Sequence, residues 1–428
     1  MAKLSTLATA AALVAGPALC ENHIDLIRPD APQLAQPGRY PVGVKTLELV
    51  NPDQIDIIHV TGKTEPLYDR PFTLEVWYPA TQATQAGGTY RTLLRDGATE
   101  ITLSGRAHRD AEPADGETFP LIVISHGYPG NRLLLSHLGE NLASKGYVAV
   151  SIDHADSTYA DQGSFASTLF NRPFDQRFVI DSMAAPDGPL GSIVNPDRIG
   201  VIGYSMGAYG ALVLGGAGLS KAAPDFSWAP PNRLLARLES GSESHEALFD
   251  PRVKAMVVIG PWGGHAGLWE PRGLAGLRVP TLFMAGSSDD VSIYASIQGL
   301  FESAVGTERH LLTFHNAGHN AAAPMPAPSE SWEPVETLDF VPFEHYADPV
   351  WDTVRMNNIA QHFATAFFGL HLKGAEEMVS FLDLVPNSED GVVALSDDGR
   401  PSEDHSYWEG FAPHSAKGLS FVSRARGE

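Results

Sequence analysis

Serine, aspartate and histidine side chains can together carry out nucleophilic acyl transfer, and this 428-residue chain spaces them for that chemistry. The stretch Arg198-Ile199-Gly200-Val201-Ile202-Gly203-Tyr204-Ser205-Met206-Gly207 reads as a β-branched strand that passes through G-x-S-x-G. Small residues from Ala208 to Leu214 follow and can run as a helix. A serine hydroxyl is a poor nucleophile unless it is held out of the chain next to a base and amide donors, and a strand-to-helix elbow does this. Glycines at 203 and 207 leave room where a side chain would clash at the tight crossing. The bland alternative is a glycine-rich packing turn; the strand before and the helix after argue against it.

A nucleophilic serine needs a base, and the base needs an orienting acid. In a strand–elbow–helix architecture these follow in the chain order serine, acid, histidine, each on a loop after a strand. The apolar run Thr281–Ala285 leads into Gly286-Ser287-Ser288-Asp289-Asp290, where Asp289 is the candidate acid and Asp290 its competitor. The run His310–Phe314 leads into His315-Asn316-Ala317-Gly318-His319, where His319 is the candidate base and His315 the rival. The oxyanion of the tetrahedral intermediate needs two backbone N–H donors. Met206, directly after the nucleophile, supplies one, and Tyr128, after Gly127 in the first loop beyond the strand ending at Ser125, supplies the other. The Tyr128 side chain, Trp262 and His154 are candidate pocket residues, with core or loop packing the alternative for the last two. His126 reads as a structural hydrogen-bonder. The pair His315/His319 and the cluster Asp153-His154-Ala155-Asp156 each lack a third ligand in frame, so no metal is expected, and no cofactor either.

These residues need a sheet to position them. Phe119–Ser125 is a continuous apolar run, as in a strand buried on both faces of a parallel sheet. An amphipathic helix over Leu133–Lys145, ended by Gly146, and a strand over Tyr147–Ile152 complete a βαβ unit. A helix from about Asp175 to Met183 leads to the elbow strand, and a further strand runs over Lys254–Ile259. The runs Val42–Val50 and Phe72–Pro79 read as an antiparallel opening pair, and residues 80–118 as a polar surface excursion. Asp348-Pro349 is expected to cap a long helix closed by Gly369. The fold class is therefore α/β: a mostly parallel central sheet with helices on both faces and an antiparallel N-terminal strand pair. One catalytic domain spans 42–372, after an irregular leader at 21–41 and before a tail at 373–428 that packs on the body. Two stretches, about 219–250 and 320–347, are long for loops and carry Trp228, Trp332, Phe340 and Phe343. They read either as covers over a substrate cleft or as surface embellishments.

A formal charge of −22 argues against nucleic acid or an anionic membrane surface as partner. Residues 1–20 carry Lys3, a short apolar run from Leu7 to Val14 and the small residues Ala18-Leu19-Cys20, the pattern of a signal peptide cleaved on export. Lipid anchoring at Cys20 is the rival. Cys20 is the single cysteine, so the expected mature chain has no disulfide.

With the elbow, the His-Gly loop, Gly-x-x-Asp and the late histidine in place, the chain resembles the α/β-hydrolase superfamily. Within it, the dienelactone-hydrolase-like group that includes platelet-activating-factor acetylhydrolase is similar at Pro71–Pro79, Ile124-Ser125-His126-Gly127, Ala143–Tyr147, Ser151–His154, the elbow, and Arg177 with Asp181. Dienelactone hydrolases use a cysteine where this chain has Ser205. The acetylhydrolases place their acid after an earlier strand, where Gly260–Gly264 offers no carboxylate, which favours Asp289. The Ser-Asp-His layout also resembles the cutinase-like polyester hydrolases. The resemblance implies an exported serine hydrolase that cleaves carboxylic esters of small molecules or lipids through an acyl-enzyme, without stable membrane insertion. Phospholipid acyl groups or polyesters are alternative substrates. A non-catalytic binding module on a hydrolase scaffold is the alternative of another class.

Overall fold

The computed structural model describes residues 21–396 and 398–428; the expected signal segment and Cys20 lie outside them. Its framework follows from runs of apolar, β-branched residues that must be covered on both faces. The chain enters through β1 (Asn22–His23), β2 (Val42–Ile55) and β3 (Leu67–Pro79), then β4 (Gly88–Leu93), β5 (Glu100–Gly105) and β6 (His108–Arg109). The parallel core follows as β7 (Phe119–Ser125), β8 (Val148–His154), β9 (Val194–Tyr204), β10 (Val253–Ile259), β11 (Thr281–Gly286) and β12 (Arg309–Phe314), and β13 (Leu419–Arg424) comes last. The main sheet has ten strands in the order β13-β12-β11-β10-β9-β7-β8-β3-β2-β6. β8 through β12 run parallel, whereas β2 and β3 form an antiparallel pair and β3 also meets β8 antiparallel.

Strand periodicity divides the core between the two faces. On β7, Leu121 and Val123 join the cluster that contains Met183 of α2 (Phe165–Ala184), Leu212 of α3 (Met206–Leu214) and Leu300 of α6 (Tyr294–Ser303). Ile122 and Ile124 face the opposite cluster, with Leu138 and Leu142 of α1 (Ser136–Ser144) and Phe363 and Phe367 of α7 (Thr353–Lys373). Two short helices, α4 (Glu243–Leu248) and α5 (Pro271–Leu274), sit on the first face. The architecture is the α/β one read from the sequence.

Several elements depart from the expectation. The excursion at 80–118 is not irregular: β4 and β5 pair antiparallel, and β1, from the leader, adds parallel to β5 to make a separate three-stranded sheet. Its buried Tyr90 and Leu103 pack in the α1/α7 core, and the Tyr90 hydroxyl donates to Glu140 of α1 while also accepting from Trp77 Nε1 at 2.9 Å. Glu140 in turn accepts from the N–H groups of Arg106 and Ala107, at 2.9 and 3.0 Å, so a buried carboxylate ties the small sheet to the body. α2 starts ten residues earlier than read, at Phe165, because Ser164 caps it by accepting from Ala166 N. α7 starts after Asp352, whose side chain accepts from Arg355 N, and ends at Gly374 with φ +66°. Asp348 makes a preceding turn instead, accepting from Val350 N and Trp351 N, and Gly369 lies inside the helix.

Candidate active site

The elbow is strained as its chemistry requires. Ser205 has φ 52° and ψ −111°, a conformation costly for a residue with a Cβ. Its N–H donates to Ile259 O of β10 at 2.8 Å. A Cβ on Gly207 would lie 2.0 Å from Ser125 O, and one on Gly203 2.4 Å from Gly207 O, so both glycines are needed for β9 to turn into α3 against β7. All the candidate residues emerge at the carboxyl ends of parallel strands, at the edge where α/β sheets bind ligands.

β11 delivers Asp289 and β12 delivers His319. Asp289 Oδ2 accepts from His319 Nδ1 at 2.8 Å. Its other oxygen accepts from Val291 N and Ser292 N at 3.0 and 2.8 Å, which fixes the carboxylate before it meets the imidazole. This leaves Nε2 of His319 for a substrate or nucleophile proton. The Tyr204 ring lies against the imidazole with centroids 5.2 Å apart. Asp290 is exposed at the cleft and makes no hydrogen bond to His319, and His315 is exposed on a turn whose carbonyl accepts from Trp351 Nε1 at 2.8 Å. Ser205 and His319 line one cleft of about 800 Å³ without a direct hydrogen bond between them, a looseness common before substrate binds.

Gly127 brings the loop after β7 over Ser205: a Cβ there would sit 3.3 Å from Ser205 Cβ. The N–H of Tyr128 makes no hydrogen bond among the described residues, and Met206 opens α3 with its N–H free of a helical partner. Arg172 of α2 holds this loop from beneath, donating to His126 O and Ser157 Oγ. Burial lowers the Arg172 guanidinium to about 9.

Tyr128 and Trp262 line the cleft, joined edge-to-face through Phe165 with centroids 5.1 and 5.2 Å apart. Trp228, from the first long insertion, packs on Phe165 at 5.4 Å and is 59% exposed. That insertion is anchored by Leu219, Leu234, Leu235 and Leu238, which are buried. Phe340, Phe343 and His345 bring the second insertion into the cleft wall. His154 does not belong to the pocket. It is 1% exposed, donates from Nδ1 to Asp175 Oδ2 at 2.9 Å and accepts from Ser125 Oγ at 2.8 Å through Nε2. Arg70 already neutralises Asp175 through two bonds of 2.8 and 2.9 Å. His154 therefore stays neutral: burial, with Arg172 and Arg70 nearby, holds its pKa well below the usual 6.5.

This buried layer was not legible as a site. Arg70, Ser125, Arg172 and Asp175 are scattered over three elements, and only Ser125-His126-Gly127 carried a local signal. Arg177 and Asp181, which pair at 2.9 Å, link α2 to α4 through Ala247 O and Leu248 O, away from the cleft. Among the described residues no group of three or more His, Cys, Asp or Glu side chains is arranged to hold a metal.

A ferulic acid esterase from Streptomyces cinnamoneus superposes with a TM-score of 0.56 over 80% of this chain and 94% of its own, at 21% identity. The chain has the α/β-hydrolase fold. Residues 104–233 match the family described as "PETase: PET hydrolase-like". Cutinase 2 from Thermobifida cellulosilytica is 31% identical over 180 residues, 42% of this chain and 52% of the relative. Cutinase est1 from Thermobifida alba is 25% identical over 211 residues, 49% of this chain and 56% of the relative. The chain thus spans about half the length of the curated relatives it matches. These relatives fall on the polyester-hydrolase side of the two likenesses drawn from the sequence.

Proposed function

We propose that this α/β-hydrolase is a serine esterase that cleaves carboxylic esters through an acyl-enzyme. The observation that carries the reading is the Asp289–His319 pair at 2.8 Å, with His319 lining the same cleft as a strained Ser205 and two unpaired N–H groups beside it. Ser205 Oγ attacks the ester carbonyl as His319 Nε2 takes its proton, and Asp289 orients and stabilises the resulting imidazolium. The N–H groups of Tyr128 and Met206 receive the oxyanion. The imidazolium then protonates the departing alcohol, and a water deprotonated by His319 releases the acid and frees Ser205. The aromatic wall of Tyr128, Phe165 and Trp262 supports an acyl or alcohol part with a flat or apolar body. The cutinase relatives support polyester chains as a larger form of the same substrate. Export fits the sequence pattern of residues 1–20. No helix of the described residues is long and apolar enough to cross a membrane.

Hydrolysis of p-nitrophenyl esters across acyl lengths tests this, with a fluorophosphonate probe alongside. The expected result is turnover and labelling by the wild type, and loss of both in Ser205→Ala. His319→Ala should lose on the order of 10⁴-fold or more in kcat. A folded wild type that neither turns over any ester nor takes the probe would leave the binding-module reading.

A further inference from the structure

The cleft wall opposite in type to its aromatic residues holds a cation without a counter-ion. Arg95 follows β4 in the turn of the accessory hairpin and lines the cleft together with Ser205 and His319. Its guanidinium makes no hydrogen bond and no ion pair among the described residues, and its Nη1 is buried with no partner. The Phe340 ring of the second insertion covers the guanidinium at 5.6 Å. This is unusual in a chain with 51 acidic and 29 basic residues, where carboxylates are abundant. Elsewhere in the interior guanidinium groups do find acceptors: Arg70 meets Asp175 at 2.8 Å, Arg132 meets Asp153 and Glu75, and Arg172 and Arg309 donate to carbonyl or hydroxyl oxygens.

Burial pushes the Arg95 pKa down, and the groups acting against that push are the phenols of Tyr159, Tyr346 and Tyr128, with no carboxylate among them. Of the carboxylates on the cleft, Asp348 is occupied by the N–H groups of Gly318, Val350 and Trp351, and Asp290 and Glu344 are exposed to solvent. A half-buried guanidinium with unfilled donors has a strong demand for a planar, two-oxygen anion.

We propose that Arg95 is a specificity-determining group that receives a free carboxylate on the ester substrate, which makes the cleft selective for half-esters of dicarboxylic acids. The inference rests on the esterase reading. It also assigns the enzyme a position in a sequence of reactions: a half-ester is what remains when a neutral diester has been cut once. Hydrolysis by Ser205 then gives the free diacid and an alcohol, with one water consumed.

The test compares monoethyl esters of dicarboxylic acids, from succinate to sebacate and including an aromatic diacid, with matched esters in which a carboxamide replaces the free carboxylate. The readout is the ratio of kcat/KM for carboxylate over carboxamide within one protein, so a general loss of activity cancels. The expected ratio in the wild type is about tenfold or more at the best chain length, the worth of one charge-assisted pair. It should fall toward one in Arg95→Gln and recover in part in Arg95→Lys. Wild-type ratios at or below one for every acid, on an enzyme that cleaves the carboxamides, overturn the inference and leave the esterase reading intact. A ratio unchanged in Arg95→Gln overturns it as well. If Arg95→Gln does not fold, the wild-type ratio still decides, and it must shrink as salt is raised because the pair is electrostatic. Absence of turnover on both members of every pair would instead count against the esterase.

Discussion

Two sets of Ser, His and Asp side chains lie at the elbow. In one, Asp289 holds His319, which lines a cleft together with Ser205; in the other, Ser125, His154 and Asp175 are joined by bonds of 2.8 and 2.9 Å under the elbow. By hydrogen-bond geometry alone the buried set is the better triad. It differs in what surrounds it. Ser125 lies in regular β7 and is fully buried, whereas Ser205 is raised by a φ of 52° and is 7% exposed at the cleft. Asp175 is already held by Arg70, and His154 has both ring nitrogens committed. Ser125 is 0% exposed, so no substrate carbonyl reaches its hydroxyl. The comparison separates a triad as connectivity from a triad as a reactive site: burial and saturation turn the same three side chains into a brace.

The largest effect that can break this comparison is catalytic. Asp289→Asn is expected to lower kcat by about 10⁴, because the amide reverses the tautomer of His319. Asp290→Asn should change kcat little. Equal losses in the two variants, read by ester hydrolysis, would remove Asp289 from its role. Next comes the brace. Asp175→Ala leaves Arg70 and His154 buried without their shared anion and should cost about 3–5 kcal/mol in urea unfolding, with fluorophosphonate still labelling Ser205 in the folded fraction. A stable variant that no longer takes the probe would give Asp175 a chemical role rather than a structural one. A third effect, spread over several histidines, is in acid. Burial keeps His126 and His154 below the usual 6.5, and His137 and His362 at about 3. The unfolded chain binds protons below about pH 6.5 that these folded histidines refuse, so stability must fall as pH drops from 6.5 toward 3. The slope is up to about 1.4 kcal/mol per pH unit for each such histidine. His362→Gln should flatten the dependence of the urea midpoint on pH; an unchanged slope would mean that His362 takes up its proton in the native state.

The parallel sheet was legible because a strand covered on both faces can be nothing but apolar, as Phe119–Ser125 shows. The elbow was legible because glycines at 203 and 207 are forced by the crossing of β7. Loop spacing singled out Asp289 over Asp290, and Asp289 is the one bonded to His319, whereas Trp262 both lines the cleft and packs in the core. The accessory sheet was hidden because β4 and β5 bury only alternate residues, such as Tyr90 and Leu103, among Thr, Gly and charged neighbours. The start of α7 was misread because Asp348 and Asp352 both make side-chain bonds to nearby N–H groups, and sequence alone does not say which of the two opens a helix. Arg95 and the brace depend on long-range neighbours, and no local pattern marks them. His154 was assigned to the cleft because it ends a strand at the reactive edge; its ring turns inward to Asp175.

β13 pairs antiparallel with β12 from Phe314↔Leu419 to Arg309↔Arg424, and His315 N donates to Gly418 O just beyond. It therefore buttresses the strand that carries the loop of His319, yet it is translated long after every residue of the cleft. Until β13 is made, the polypeptide already carries Ser205, Asp289 and His319 while β12 is still a raw sheet edge, open to pairing with any other extended segment. Protection of that edge against misassembly thus comes later in synthesis than the residues of the cleft.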